Sequence, residues 1–300
     1  SYYIMSCVNC GLVFTYPLPE ESELKTFYTE SYYEKNNLSL KELKKLMKVA
    51  NVWVRRIQSY KSCGKVLDVG CGREHMLAAL KKEGYEVYGC ELSKVAVEQG
   101  RKLFDLDIFQ GTVEEANFPN KFFDVVILSH VLEHFPNPIN TLNEIRRILK
   151  DDGLLMVALP NIDSVEAKIF KSYWYGLRME PMRTPKHLYH FSPKTITMFL
   201  QKVRFKVIKI EHAMDVIGIL RSLQNIIFER KKVLNNSQKV RSGISTSNGE
   251  MEKNFRKAIH RQIEKYANFA FPIFFFPLGV ISRVLRMGCG IVVYVRKSGY

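Results

Sequence analysis

The chain has 300 residues, 46% hydrophobic, 12% aromatic and 25% charged, a composition that supplies an α/β core with appendages and excludes a disordered or low-complexity protein. Its six cysteines, at 7, 10, 63, 71, 90 and 289, lack the spacing of a secreted disulfide framework and imply a reducing cytoplasm; no signal peptide opens the chain, and the start at Ser1 without methionine suggests residues upstream. The formal net charge of +15 gathers at the end, where from His212 onward 15 Lys and Arg face 5 Asp and Glu, a surplus that fits an anionic lipid surface, nucleic acid, an acidic substrate or a merely solvated face.

Cys7-Val-Asn-Cys10-Gly11 has the spacing of one zinc knuckle, two thiolates and a glycine turn gripping one side of a tetrahedral ion. Four ligands are needed, so zinc at Cys7 and Cys10 requires ligands missing from this chain, and two free thiols in a turn are the plainer alternative. Glu20 to Tyr33 and Leu38 to Tyr60 then read as helices. Trp53, Ile57 and Tyr60 recur at helical spacing and suit core or lid contacts.

Lys65 to Leu92, KVLDVGCGREHMLAALKKEGYEVYGCEL, reads as strand, glycine turn, helix, and a second strand ending in an acid. Gly70 and Gly72 let the backbone turn tightly against a ligand, and Glu91 follows Gly72 by 19 residues, where a carboxylate binds ribose hydroxyls in nucleoside-binding βαβ units. A dinucleotide fingerprint would place glycine where His75 stands, and Asp68 at the first strand's end would repel a diphosphate. Asp68 suits the α-ammonium of a methionine moiety instead, so S-adenosylmethionine fits this turn better than NAD.

Ser93 is placed to cap a helix running to Phe104. Ile108-Phe109 is a short third strand, followed by the turn Gly111-Thr112-Val113-Glu114. Asp124 to Ser129 reads as a buried fourth strand, Asn140 to Leu149 as a helix and Leu154 to Leu159 as a fifth strand, the alternation of a doubly wound sheet. Past Pro160 come a helix and then an aromatic, basic loop, residues 171–193, with prolines at 181, 185 and 193. Thr195 to Gln201 and Phe205 to Ile210 supply the next helix and strand.

Residues 235–250, rich in Asn, Ser and Gly, predict a linker, and residues 290–297 a final strand. Phe269 to Ile281 is an apolar run broken by Pro272 and Pro277, too short to span a bilayer. It fits an interfacial segment at an anionic membrane, an apolar wall of the fold, or a homodimer contact. Three regions follow: 1–60 with the knuckle and a helical lid, a core over 61–211, and a basic, partly helical appendage over 212–300.

VLDVGCG, CEL, FFDVVILSHVLEHFPNP and LKDDGLLMVALPN, in that order, resemble the successive motifs of the class I SAM-dependent methyltransferases. The resemblance covers roughly Lys65 to Ile210 and implies a Rossmann-like sheet, S-adenosylmethionine as cofactor and in-line methyl transfer. It implies a cofactor site at Asp68, Gly70, Cys71, Gly72, Glu91 and Leu92, continued by Thr112, Val113 and Glu114 near the adenine and by Ser129 and His130 at the methionine end. Relatives commonly carry a third glycine where Glu74 stands and Asp where Thr112 stands. The CxxCGLVF start and the P-x-H-L-x-x-F loop resemble a subgroup in which that loop covers the acceptor site. Candidate bases are His187, His130 and His134, with His187 preferred for its place on the loop and a structural role the alternative. The expected acceptor is an oxygen on a sugar, a glycolipid or another small metabolite, with the enzyme cytoplasmic or peripheral at the inner face of a membrane. SHVL stands where base N-methyltransferases carry [NDS]-P-P-[YF], which disfavours base N-methylation; RNA ranks second because a basic surface also suits an RNA-ribose or wobble-base enzyme, and a silent SAM-binding module is the non-enzyme alternative.

Overall fold

The structure, a computed structural model, describes residues 2–25, 40–72, 75–170, 187–213 and 287–299. The chain divides into two compact units, the first of residues 1–161, 182–211 and 291–300 and the second of residues 162–181 and 212–290.

The first unit carries a seven-stranded sheet. Its strands are β3 (Lys65–Val69), β4 (Glu86–Glu91), β5 (Asp107–Gln110), β6 (Phe123–Ser129), β7 (Leu149–Pro160), β9 (Phe205–Ala213) and β10 (Gly290–Lys297), in the spatial order β5-β4-β3-β6-β7-β10-β9. β3 pairs in parallel with β4 and β6, β4 with β5, and β6 with β7. Because β3 to β5 build outward on one side and β6 and β7 on the other, the strand order reverses between β3 and β6. The C-terminal ends of those two strands flank the crevice where open α/β sheets bind ligands.

Both faces are covered, which explains the near-continuous apolar runs of the central strands. Leu67, Val69, Val126, Leu128, Leu155 and Val157 pack on one face with Leu142 and Ile145 of α5 (Pro138–Ile148) and Ile196 and Leu200 of α7 (Pro193–Lys202). Val66, Val125, Ile127, Leu154 and Met156 pack on the other with α2 (Leu40–Gln58), α3 (His75–Lys82) and α4 (Lys94–Phe104), through Val54, Ile57, Leu77, Leu80 and Val97. Tyr60 stacks on Tyr294 at 4.9 Å, so the residue at helical spacing from Ile57 does enter the core.

The starts of β7, α5 and α7 are among the boundaries that differ from the sequence expectation. β7 starts at Leu149 rather than Leu154, because Asp151-Asp152-Gly153 forms an irregularity inside the strand: Phe123 pairs with Leu149 and Val125 already with Leu154. α5 starts at Pro138, with the Asn137 side chain accepting the Asn140 N–H, and α7 at Pro193, where Ser192 and Thr195 form a reciprocal cap. Of the helix expected over Glu20 to Tyr33, α1 (Glu21–Lys25) is described and the rest lies outside the described residues.

A second, three-stranded sheet joins β1 (Tyr3–Ser6), β2 (Val13–Tyr16) and β8 (Tyr189–His190) in that order. All of its pairs are antiparallel, with Val13 opposite His190 and Phe14 opposite Tyr189. In the second unit, α6 (Val165–Phe170) begins with the Val165 N–H donating to the Met287 carbonyl at 3.2 Å. The linker over 235–250, the run Phe269 to Ile281 and most of the loop over 171–193 lie outside the described residues. Among the described residues, no helix is long and apolar enough to cross a membrane.

Candidate functional site

The turn after β3 owes its shape to two left-handed glycines, Gly70 at φ +69° and Gly72 at φ +53°. A methyl at Gly70 would come within 3.1 Å of Val131, so the strand end and the turn after β6 approach too closely for a side chain. The Gly70 and Cys71 N–H groups donate to the Cys90 carbonyl at 2.8 and 3.2 Å, and a methyl at Gly89 would meet the Cys71 sulfur at 2.9 Å. Small residues are therefore required on both sides of this turn. Arg73 and Glu74, the latter standing in place of a relative's third glycine, lie outside the described residues.

Glu91 ends β4 and is 5% exposed. One carboxylate oxygen accepts the Gly72 N–H and the other the Ser93 N–H, both at 2.9 Å, while its carbonyl accepts the Gly111 N–H at 3.0 Å. One residue thus fastens the ends of three strands. Ser93 in turn caps α4 by accepting the Ala96 N–H.

Asp68, one strand over, has no such provision. It is 3% exposed, and its Oδ1 has no hydrogen-bond partner among the described residues. Burial, with a smaller contribution from the Glu91 charge, pushes its carboxyl well above the usual carboxylate range. A cation at the mouth of this crevice would relieve both penalties, whereas a diphosphate would aggravate them. A ligand with a cationic amino-acid end and ribose hydroxyls, as S-adenosylmethionine has, fits this pair of acids.

The turn after β5 is organised internally. Thr112 and Glu115 cap each other, with the Thr112 N–H on Glu115 at 2.8 Å and the Glu115 N–H on the Thr112 hydroxyl at 3.3 Å. Val113 is buried in the core, and the Glu114 carboxylate accepts the Thr141 hydroxyl at 2.7 Å. The side chains of Thr112 and Glu114 are therefore engaged in holding the turn, which leaves backbone as the part of this segment best suited to an adenine. Leu92, just past the end of β4, is half exposed.

Ser129 and His130 end β6 across the crevice. His130 takes a left-handed conformation at φ +57°, donates its N–H to the Ala158 carbonyl at 3.0 Å and exposes 56% of its side chain. A single 3₁₀ turn, Leu132–His134, follows. Its Glu133 is 1% exposed, and neither carboxylate oxygen has a hydrogen-bond partner among the described residues. His130 Nδ1 lies 3.7 Å from Glu133 Oε1, at ion-pair rather than hydrogen-bond distance. Burial pushes the Glu133 carboxyl up, but the adjoining His130 imidazole first, and then the charges of His134, His130 and His187, outweigh it and hold the group below the usual range.

His187 reaches this cluster from far along the chain. The Leu188 N–H donates to the Glu133 carbonyl at 2.8 Å, the Thr15 N–H to the Leu188 carbonyl at 2.9 Å and the Thr15 hydroxyl to the His187 carbonyl at 3.0 Å. The rings of His134 and His187 lie 4.8 Å apart, and those of His187 and His190 6.1 Å. Burial lowers His190 to about 4, against a smaller opposing pull from Glu133, so it is a neutral ring at physiological pH. Glu133 and Thr15 were not singled out as functional from the sequence, whereas His190 was a candidate base in PKHLYH. The acid between Leu132 and His134 in SHVLEH was the available signal for Glu133, while Thr15 depends on a strand pairing that local pattern does not encode.

Cys7 and Cys10 sit in the turn between β1 and β2, where Gly11 at φ +77° donates to the Cys7 carbonyl at 2.9 Å. Hydrogen bonds from the Cys10 and Asn9 backbones lower the Cys7 thiol. Among the described residues, the group of three side chains spaced to hold a metal ion is Glu133, His134 and His187 rather than any set containing these cysteines.

Residues 38–210 match the model of a family described as a methyltransferase domain. The ubiquinone biosynthesis O-methyltransferase of Actinobacillus pleuropneumoniae serotype 7 (strain AP76) is 29% identical over 157 residues, 42% of this chain and 67% of that enzyme. The enzyme of the same name from Histophilus somni (strain 2336) is 34% identical over 108 residues, 32% of this chain and 45% of that one. A solved SAM-dependent methyltransferase from Archaeoglobus fulgidus shares the fold, with a TM-score of 0.51 and 19% identity over 84% of this chain and 94% of that one. With more than half of its length inside the family match, the chain belongs to the methyltransferase domain family and is a SAM-dependent methyltransferase.

Proposed function

We propose that the chain methylates an oxygen of a small acceptor, a sugar, glycolipid or other metabolite, with His130 as the base. The observation that supports this most is the gathering of His130, His134 and His187 around buried Glu133, at the end of β6 and beside the Asp68 crevice. The named activity of the O-methyltransferase relatives agrees with an oxygen acceptor.

Asp68 binds the α-ammonium group, and Glu91, whose two oxygens keep lone pairs beyond their backbone bonds, accepts the ribose hydroxyls. Bound S-adenosylmethionine supplies a methyl carbon on a positively charged sulfur. His130, its ring exposed and oriented by Glu133, takes the acceptor's proton as the oxygen forms its bond to carbon and the electron pair of the broken bond stays on sulfur. His130 replaces the His187 favoured from sequence alone, because it ends the strand that flanks the cofactor crevice. Cys7 and Cys10 bind zinc with ligands from outside this chain, and a lipid-linked acceptor would bring the basic region beyond His212 to an anionic surface.

Methyl-labelled cofactor incubated with lipid, glycan, small-metabolite and RNA fractions tests the acceptor. Label is expected as an alkali-stable ether outside the RNA fraction, and label confined to RNA overturns the assignment. Glu91→Ala should weaken cofactor binding by about 2–4 kcal/mol; an unchanged affinity by calorimetry removes Glu91 from the site.

A further inference from the structure

We propose that Glu133, His134 and His187 form a binding site for one divalent cation of the zinc type. One ligand atom from each side chain lies within 4.8 Å of the other two. Ligand atoms around one tetrahedral zinc stand about 3.3 Å apart, so modest side-chain rotations close the set. The region is assembled from two distant segments, the turn after β6 and the start of β8, which the Leu188 N–H joins at the Glu133 carbonyl.

Glu133 is the observation that calls for a ligand. A carboxylate that is 1% exposed, with neither oxygen hydrogen-bonded among the described residues, costs free energy until a proton or a cation meets it. His130 Nδ1, 3.7 Å away, is too distant to satisfy it with a hydrogen bond. A metal between Glu133, His134 and His187 replaces that deficit with a coordinate bond.

The donors select the cation. Two imidazoles and one carboxylate suit zinc or cobalt, whereas magnesium and calcium prefer oxygen alone. The main chain already holds the ligands: the His134 N–H donates to the Val131 carbonyl at 2.9 Å, and the Thr15 hydroxyl to the His187 carbonyl at 3.0 Å. These bonds fix the main chain that carries both imidazoles before the metal arrives. Three protein ligands leave a fourth position open, as catalytic rather than structural zinc does. An acceptor hydroxyl taken there would lose its proton to His130 more readily. This last step rests on the oxygen-acceptor reading above, and the cation site does not.

The test uses the 300-residue chain with Cys7→Ser and Cys10→Ser, so that thiols do not compete, stripped with chelator and titrated calorimetrically with Zn²⁺ and separately with Mg²⁺. One Zn²⁺ per chain and no Mg²⁺ binding are expected. Cobalt in its place should show no thiolate charge-transfer band. Glu133→Gln and, independently, His187→Ala should each lower zinc affinity by more than the roughly 10–100-fold that loss of an outer partner costs. The His187→Ala protein should keep its cofactor affinity and melting temperature, which separates ligand loss from misfolding. Failure of the Cys7→Ser, Cys10→Ser chain to bind zinc overturns the proposal, as does unchanged zinc affinity in both variants. No acceptor enters the titration, so absence of methyl transfer leaves the cation site standing, and loss of the cation site leaves the acceptor reading to its own experiment.

Discussion

Asp68 and Glu91 are buried acids at neighbouring strand ends with opposite provisions. Glu91 has a backbone N–H on each oxygen and holds the site's shape with or without ligand, whereas Asp68 keeps an unsatisfied oxygen. An acid in that condition trades stability for binding. Asp68→Asn should therefore stabilise the ligand-free protein by about 1–2 kcal/mol and weaken cofactor binding, two opposite shifts measurable by thermal melts with and without ligand. The pH dependence follows from the raised carboxyl: the folded protein keeps this proton above the ordinary carboxylate pKa of about 3.9, where the unfolded chain has lost it. Asp68 therefore makes stability fall as pH rises from about 4 through its folded value, and Asp68→Asn should flatten that part of the profile. An unchanged profile would show that Asp68 is solvated in solution.

At the scale of elements, the sheet is pinned at its opposite end by Asp124. Its carboxylate accepts the Lys65 N–H at 2.9 Å and pairs with Lys150 through both oxygens at 2.8 Å, joining the starts of β3, β6 and β7. Gly64 packs so closely that a methyl there would meet Asp124 at 2.5 Å. Asp124→Ala should cost about 2 kcal/mol, read from denaturant midpoints. Burial raises this carboxyl, but the Lys150 and Lys65 bonds prevail and lower it, so its contribution is present above the ordinary carboxylate pKa and is lost as pH falls through the folded value. The strands, the glycine turn and the Ser93 cap were legible because each rests on residues adjacent in sequence. The early start of β7 was not, because Asp-Asp-Gly reads as a turn and only pairing with Phe123 keeps it in the strand.

At the scale of the molecule, the histidine cluster depends on contacts that no local pattern encodes. Thr15 is fully buried and bonds to His187, 172 positions away, and the short β2 and β8 pair there. The individual histidines were visible in SHVLEH and PKHLYH, but their convergence was not. Thr15→Val keeps the shape of the side chain and removes the hydroxyl, so it should lower kcat several-fold while cofactor affinity stays as it was. Equal losses in both would place Thr15 in general stability instead.

The same pairing sets an order of assembly. The cofactor crevice is built from β3 to β6, segments close in sequence whose loops close at little entropic cost, while β8 must find β2 across most of the chain. During synthesis, therefore, a body able to hold the cofactor can form before the residues of β8 have been made. The acceptor side should be completed last, so an incomplete chain would bind a methyl donor without yet being able to spend it.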